Sequence, residues 1–117
     1  MQFIEYPKCS TCKKAKQYLD KLRVEYIDRD IKEERPSKKE LDKWIKISGK
    51  DIHAFFNTNG IKYRELNLKE TLKELSYDEK LDILSSDGML VKRPLIISKS
   101  FVLIGFKEKE WDIYFKG

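Results

Sequence analysis

At 117 residues, 40% of them apolar, the chain has the size of one domain with one core and needs no disulfide or metal staple. Charged residues make up 38%, and 25 Lys and Arg against 20 Asp and Glu leave a net charge of +5; the two signs are interspersed, which reads as a solvated surface rather than a nucleic-acid-binding one. No segment approaches the roughly 20 apolar residues that cross a membrane, no basic and then apolar leader opens the chain, and the only two cysteines lie three positions apart; the expectation is a cytoplasmic protein with no membrane partner.

Residues 2–6 (QFIEY) are an apolar and aromatic run stopped by Pro7, which predicts an opening strand. Residues 8–11 are expected to form a turn. From 12 to 22, Ala15, Tyr18, Leu19 and Leu22 recur at helical spacing with lysines between them. Residues 24–31 (VEYIDRDI) alternate apolar and polar, a second strand, so the chain opens with a βαβ unit.

Ser37 and Glu40 then make a capping box, opening a helix with Leu41, Trp44, Ile45 and Ile47 on its apolar face and Gly49 at its end. Residues 51–57 (DIHAFFN) read as a further short helix closed by Asn59-Gly60, and 66–75 as one or two helical turns. Ser76 and Glu79 form a second capping box ahead of Leu81, Ile83 and Leu84. After the turn at Asp87-Gly88, residues 95–97 (LII) and 101–104 (FVLI) read as a hairpin across Ser98-Lys99-Ser100. A helix at 108–115, with Trp111, closes the chain. The order βαβ, helices, ββ, α predicts a single α/β domain over 1–117, with a mixed sheet and a helical block inserted at about 37–85.

The chemistry centres on Cys9-Ser10-Thr11-Cys12. A cysteine between a strand and a helix faces the unpaired N–H groups and the positive end of the helix dipole, which favour thiolate over thiol. Lys8, Lys13 and Lys14 add positive charge. Cys9, at the exposed lip, is the expected nucleophile toward an oxidised sulfur or another electrophile. Cys12, one helical turn on and shielded by it, is the expected resolving thiol, leaving a Cys9–Cys12 disulfide. Three other readings stand beside this one. The pair is half of a zinc site, although only His53 is at hand as a further ligand; the thiols are incidental small residues of a helix start; or they form an inert disulfide, although so short a loop removes little chain entropy. No cofactor is called for.

Pro94 interrupts an apolar β-type run, where a proline has a special role; a cis bond before it would set backbone beside the cysteines. Arg93 either faces the same site, holding a thiolate, sulfenate or oxyanion by charge-assisted hydrogen bonds, or is an ordinary surface arginine. His53 reads as a surface residue, and Trp44 and Trp111 as core anchors.

The segments YPKCSTCKKAKQYL, KYRELNL, LVKRPLII and IGFKEKEW resemble the ArsC/Spx family, over about residues 2–115. The resemblance implies a thioredoxin-like fold with a helical insertion, a cis Pro94, Cys9 as the reactive cysteine and Arg93 as an anion-binding residue. Arsenate reductases of this family use one cysteine in a CGTS-type loop and three arginines around the oxyanion. Cys9 and Arg93 match the cysteine and one arginine, while Asn57 or its neighbours, and Phe106 or Lys107, stand where the others are expected; losing those charges argues against arsenate. Spx-type members carry CxxC as a redox switch and bind the C-terminal domain of the RNA polymerase α subunit. Cys9, Cys12 and Arg93-Pro94 match that branch, and Gly49 aligns with a glycine of the polymerase contact, but the chain stops at Gly117, short of Spx-type regulators. Two functions follow. One is a thiol–disulfide oxidoreductase acting on a thiol or disulfide substrate and reset by a cellular thiol reductant. The other is a redox-sensing regulator that acts through RNA polymerase rather than on nucleic acid directly.

Overall fold

Successive residues of a strand point to opposite faces of its sheet, and three of the four short strands among the described residues are apolar on both. In the computed structural model, which describes residues 1–116, β1 (Gln2–Glu5) carries Phe3 and Ile4, both wholly buried on opposite sides. The hairpin strands β3 (Leu95–Ile97) and β4 (Val102–Ile104) are buried throughout. Phe3 pairs with Ile96 and Ile96 with Leu103; Ile4 pairs with Leu95 and Leu95 with Ile104. The first row belongs to one core cluster and the second to another, so the sheet separates two cores.

Helix α1 (Ser10–Lys21) supplies Ala15, Tyr18 and Leu19 to the first core, and α6 (Glu108–Phe115) supplies Trp111. Helices α2 (Lys38–Ser48) and α5 (Tyr77–Ser86) cover the other face with Leu41, Trp44, Ile45, Leu81 and Leu84. Each large apolar side chain so buried contributes on the order of 2 kcal/mol. The edge strand β2 (Ile27–Asp30) runs parallel to β1, and β3 and β4 are antiparallel to their neighbours, in the order β2-β1-β3-β4. This is the mixed α/β sheet expected from the sequence. No described helix is long and apolar enough to cross a membrane.

Both capping boxes form as read, and Gly49 ends α2 in the left-handed conformation. Three local expectations need correction. The helix after the cysteine motif begins at Ser10, not Cys12, because Pro7 and Lys8 complete the turn and Cys9 becomes the N-cap. The second strand is confined to Ile27–Asp30. Upstream of it the chain closes α1, Arg23 taking a left-handed φ of 58° while Val24 N–H donates to Leu19 C=O at 3.0 Å and Arg23 N–H to Asp20 C=O at 3.1 Å, a Schellman ending without its usual glycine. A short helix α3 (Ile61–Glu65) follows Gly60 where none was read; it buries no side chain and so has no apolar period. Residues 66–75 hold α4 (Leu68–Thr71) and a 3₁₀ turn, and residues 51–57 a 3₁₀ turn at Ile52–Phe55.

Candidate functional site

Where β1 ends, the chain folds over Pro7 and Cys9 N–H donates to the Tyr6 carbonyl at 2.9 Å. Cys9 keeps an extended backbone (φ −89°, ψ 123°) and its side chain makes no capping bond. The N-terminal N–H groups of α1 have no intrahelical acceptors, and those of Thr11 and Cys12 lie where they favour a thiolate at Cys9 over the thiol. Cys12 begins the buried stripe of α1 that continues through Ala15 and Leu19, so helical periodicity turns its sulfur inward. Cys12 is fully buried, Cys9 is half-buried, and both are free thiols. Ser10 and Thr11 are exposed between them.

The two thiols titrate in opposite directions. Burial alone would push Cys9 up, but hydrogen bonds from the backbone and side chain of Cys12, the charge of Arg93 and the Thr11 backbone outweigh it and hold the thiol below its ordinary value. Burial dominates at Cys12 and raises its thiol, helped by the adjacent Cys9 sulfur and opposed by a backbone hydrogen bond at Tyr6 and by Arg93. Cys9 is therefore the thiol of the pair that gives up its proton first, and Cys12 the one that holds it longer.

Arg93 precedes the cis peptide bond to Pro94, at the head of β3. Its Cζ lies 5.3 Å from the centre of the Tyr6 ring, and its Nε and Nη1 are buried without an acceptor. Tyr6, Arg93, Asn57, Asn59, Lys62 and Asp87 line a cleft of about 670 Å³. A groove of about 690 Å³ beside Met1, Ile27, Trp44 and Ile97 lies at the other end of the sheet; neither lining includes a thiol, and the cleft at Arg93 is singled out by that residue's unpartnered donors and by its charge acting on both cysteines.

The fold thus brings together Cys9, Cys12 and Arg93. It leaves His53 apart, exposed, with Nε2 at 3.0 Å from Lys80 Nζ. Phe106 is packed edge-on against Trp111 at 4.8 Å and Tyr18 at 5.4 Å, and Lys107 is the N-cap of α6. Trp44 and Trp111 are core residues as expected.

Two neighbours escape sequence reading. Tyr6 looks like the last residue of an apolar run, and its contact with Arg93 crosses most of the chain. Glu5 hides in the same run, yet it is a buried carboxyl, 4% exposed. Burial, and then the neighbouring Asp28 carboxylate, push it up to about 7 despite Lys16 Nζ at 3.3 Å. An acid inside an apolar strand was the available signal for it.

Comparison with known proteins bears on this geometry. The model of the ArsC family matches residues 4–114. The protein YusI of Bacillus subtilis is 50% identical over 112 residues, covering 96% of this chain and 95% of its own length. A structure described as a possible arsenate reductase from Streptococcus mutans is 44% identical, with a TM-score of 0.86 over 95% of this chain and 96% of that one. The global transcriptional regulator Spx of Streptococcus pneumoniae is 28% identical over 104 residues, 89% of this chain and 77% of Spx. The mixed sheet between helices is the thioredoxin-like fold of these relatives.

Proposed function

The chain belongs to the ArsC family, and within it we propose a thiol–disulfide redox protein in which Cys9 attacks and Cys12 resolves. The Cys9 thiolate attacks one sulfur of a substrate disulfide; a Cys9–substrate mixed disulfide forms and the other substrate sulfur leaves as a thiolate, taking up a proton. Cys12 then gives up its proton and attacks the Cys9 sulfur, the bond from Cys9 to the attacked substrate sulfur breaks, that sulfur leaves as a thiolate and takes up a proton, and a Cys9–Cys12 disulfide remains. Two electrons pass from the dithiol to the substrate, and a cellular thiol reductant restores the pair. Arg93 stabilises the thiolates at Cys9 and on the departing sulfur.

The observation that carries this reading is the asymmetry of the pair: Cys9 half-exposed with its thiol lowered, Cys12 buried with its thiol raised. Alkylation at mildly acidic pH, followed by mass spectrometry, is expected to label Cys9 well before Cys12. Equal labelling of the two defeats the assignment.

A second reading, a redox-sensing regulator that binds the C-terminal domain of the RNA polymerase α subunit, is supported by the similarity to Spx. Pull-down of that domain by reduced and by oxidised protein separates the two, since redox-dependent capture favours the regulator. Arsenate as substrate is opposed by the inventory of charge. The neutral Asn57 lines the cleft of Arg93 and Phe106 is engaged in an aromatic cluster, so a doubly charged oxyanion would meet one arginine where three are expected. Arsenate is accordingly expected not to drive oxidation of the cysteine pair.

A further inference from the structure

Two arginines of this protein lie over aromatic rings, and they differ in what their N–H groups do. Arg29 sits 5.7 Å from the Trp44 ring centre, and its donors are filled: Nη1 and Nη2 reach Glu40 at 2.8 and 2.9 Å, Nε reaches the Glu34 carbonyl at 2.9 Å, and Nη1 also reaches Gln2 at 3.1 Å. Arg93 lies as close to Tyr6, at 5.3 Å, but its Nε and Nη1 have no partner although both are buried. Buried unpaired donors on a cation are costly to leave, so the half-buried Arg93, with Nε and Nη1 shielded from solvent, demands either a structural acceptor or an arriving one. A carboxylate beneath it would be the ordinary support, and it would both neutralise the charge and occupy the donors. A π-face attracts the guanidinium without occupying any in-plane N–H.

We propose that Tyr6 is a positioning residue for Arg93: its ring holds the guanidinium at the cysteine pair by a cation–π contact and leaves the N–H groups free for an anionic group of the incoming sulfur substrate. The same residue is tied to both cysteines through its backbone, its carbonyl accepting from the Cys9 backbone N–H at 2.9 Å and its own backbone hydrogen-bonding at the Cys12 sulfur. Its half-buried side chain packs against the main core cluster, so the ring is a fixed floor. Tyr6 therefore registers Arg93 against Cys9 and Cys12 across two turns that are distant in sequence. The inference rests on the reading of Cys9 as nucleophile.

The test uses the full chain carrying Tyr6→Phe, Tyr6→Leu, and Tyr6→pentafluorophenylalanine, the last keeping the shape of the ring while reversing its quadrupole. Each is compared with wild type for the Cys9 thiolate titration, followed by ultraviolet absorbance in a Cys12→Ser background. Each is also compared, with Cys12 intact, for the rate with an anionic aryl disulfide relative to a neutral dipyridyl disulfide. Tyr6→Phe is expected to match wild type in both. The leucine and fluorinated variants are expected to titrate at higher pH and to lose about fivefold of the preference for the anionic disulfide, with no further loss when Arg93→Ala is added. The fluorinated variant retains the packing, so its outcome decides the matter even where leucine fails to fold. Wild-type titration and preference in the fluorinated variant overturn the proposal, as does an undiminished effect of Arg93→Ala within it. Failure of the underlying reading is distinguishable, because it appears as equal alkylation of Cys9 and Cys12 in the wild-type protein.

Discussion

Helices α1, α2 and α5 begin on the same four-residue spacing, and only two of them use it for stability. At α2, Ser37 Oγ accepts from Glu40 N–H at 3.1 Å while Glu40 accepts from Ser37 N–H at 3.0 Å. Ser76 and Glu79 repeat the arrangement at α5, at 3.2 and 3.1 Å. In α1 the two box positions are Cys9 and Cys12. There is no side-chain cap and no acid in the first turn, and lysines 8, 13 and 14 stand at the positive end of the dipole, the sign that weakens a helix start. The i, i+3 geometry that lets serine and glutamate exchange hydrogen bonds here sets two sulfurs within reach of each other. The free N–H groups then support a thiolate instead of a hydroxyl. Breaking a local rule at one helix while obeying it at two others is what a functional site does to a fold.

The largest effect follows from converting the first helix start toward the second kind. Cys9→Ser places a good N-cap where a poor one stands, so stability is expected to rise by about 1 kcal/mol while disulfide exchange is lost altogether. Urea unfolding and stopped-flow exchange with a small disulfide measure the two; retained exchange would transfer the nucleophile's role away from Cys9.

The next effect is one of pH. Cys12 holds its proton more tightly folded than unfolded, because burial raises its thiol. Below the ordinary thiol value of about 8.5 both states are protonated and nothing is lost; above it the unfolded chain releases the proton first, so stability declines as pH rises. Cys12→Ala is expected to flatten that alkaline limb. Cys9 has the opposite sign: its lowered thiol stabilises the fold above the unfolded value, and this is lost as pH falls through the folded one. Melting temperatures recorded from neutral to alkaline pH for wild type and Cys12→Ala check this, and parallel curves would contradict it.

At the other helices the same logic gives a smaller change that should leave the chemistry alone. Ser37→Ala and Ser76→Ala are each expected to cost about 1 kcal/mol by urea unfolding. Neither should alter the rate at which Cys9 is alkylated, and slowed alkylation in either would couple the caps to the site.

What was legible in the sequence is local. The two boxes, the hairpin and the cysteine spacing all announce themselves within a few residues. The helix start expected at Cys12 lies two residues past the actual one at Ser10, because a cysteine N-cap carries none of the usual capping chemistry. The alternation that predicts a strand from residue 24 runs past the end of α1, because Arg23 fills a left-handed position that a glycine would signal. The floor that Tyr6 provides for Arg93 was invisible, since it forms only when β3 is laid beside β1.

The smallest change tests whether stability and reactivity at α1 are opposed. Asp78 occupies the second helical position of α5, where an acid meets the dipole favourably; the same position in α1 is the exposed Thr11. Thr11→Asp should therefore stabilise the helix start by about 0.5 kcal/mol. The new carboxylate also lies beside Cys9, disfavours its thiolate, and should raise the pH at which Cys9 titrates, slowing its alkylation near neutrality. A more stable and less reactive protein is the expected pair of readings from urea unfolding and alkylation rate. If the thiol titrates unchanged, the first turn of α1 does not set the reactivity of Cys9, and the charge of Arg93 must carry that role without it.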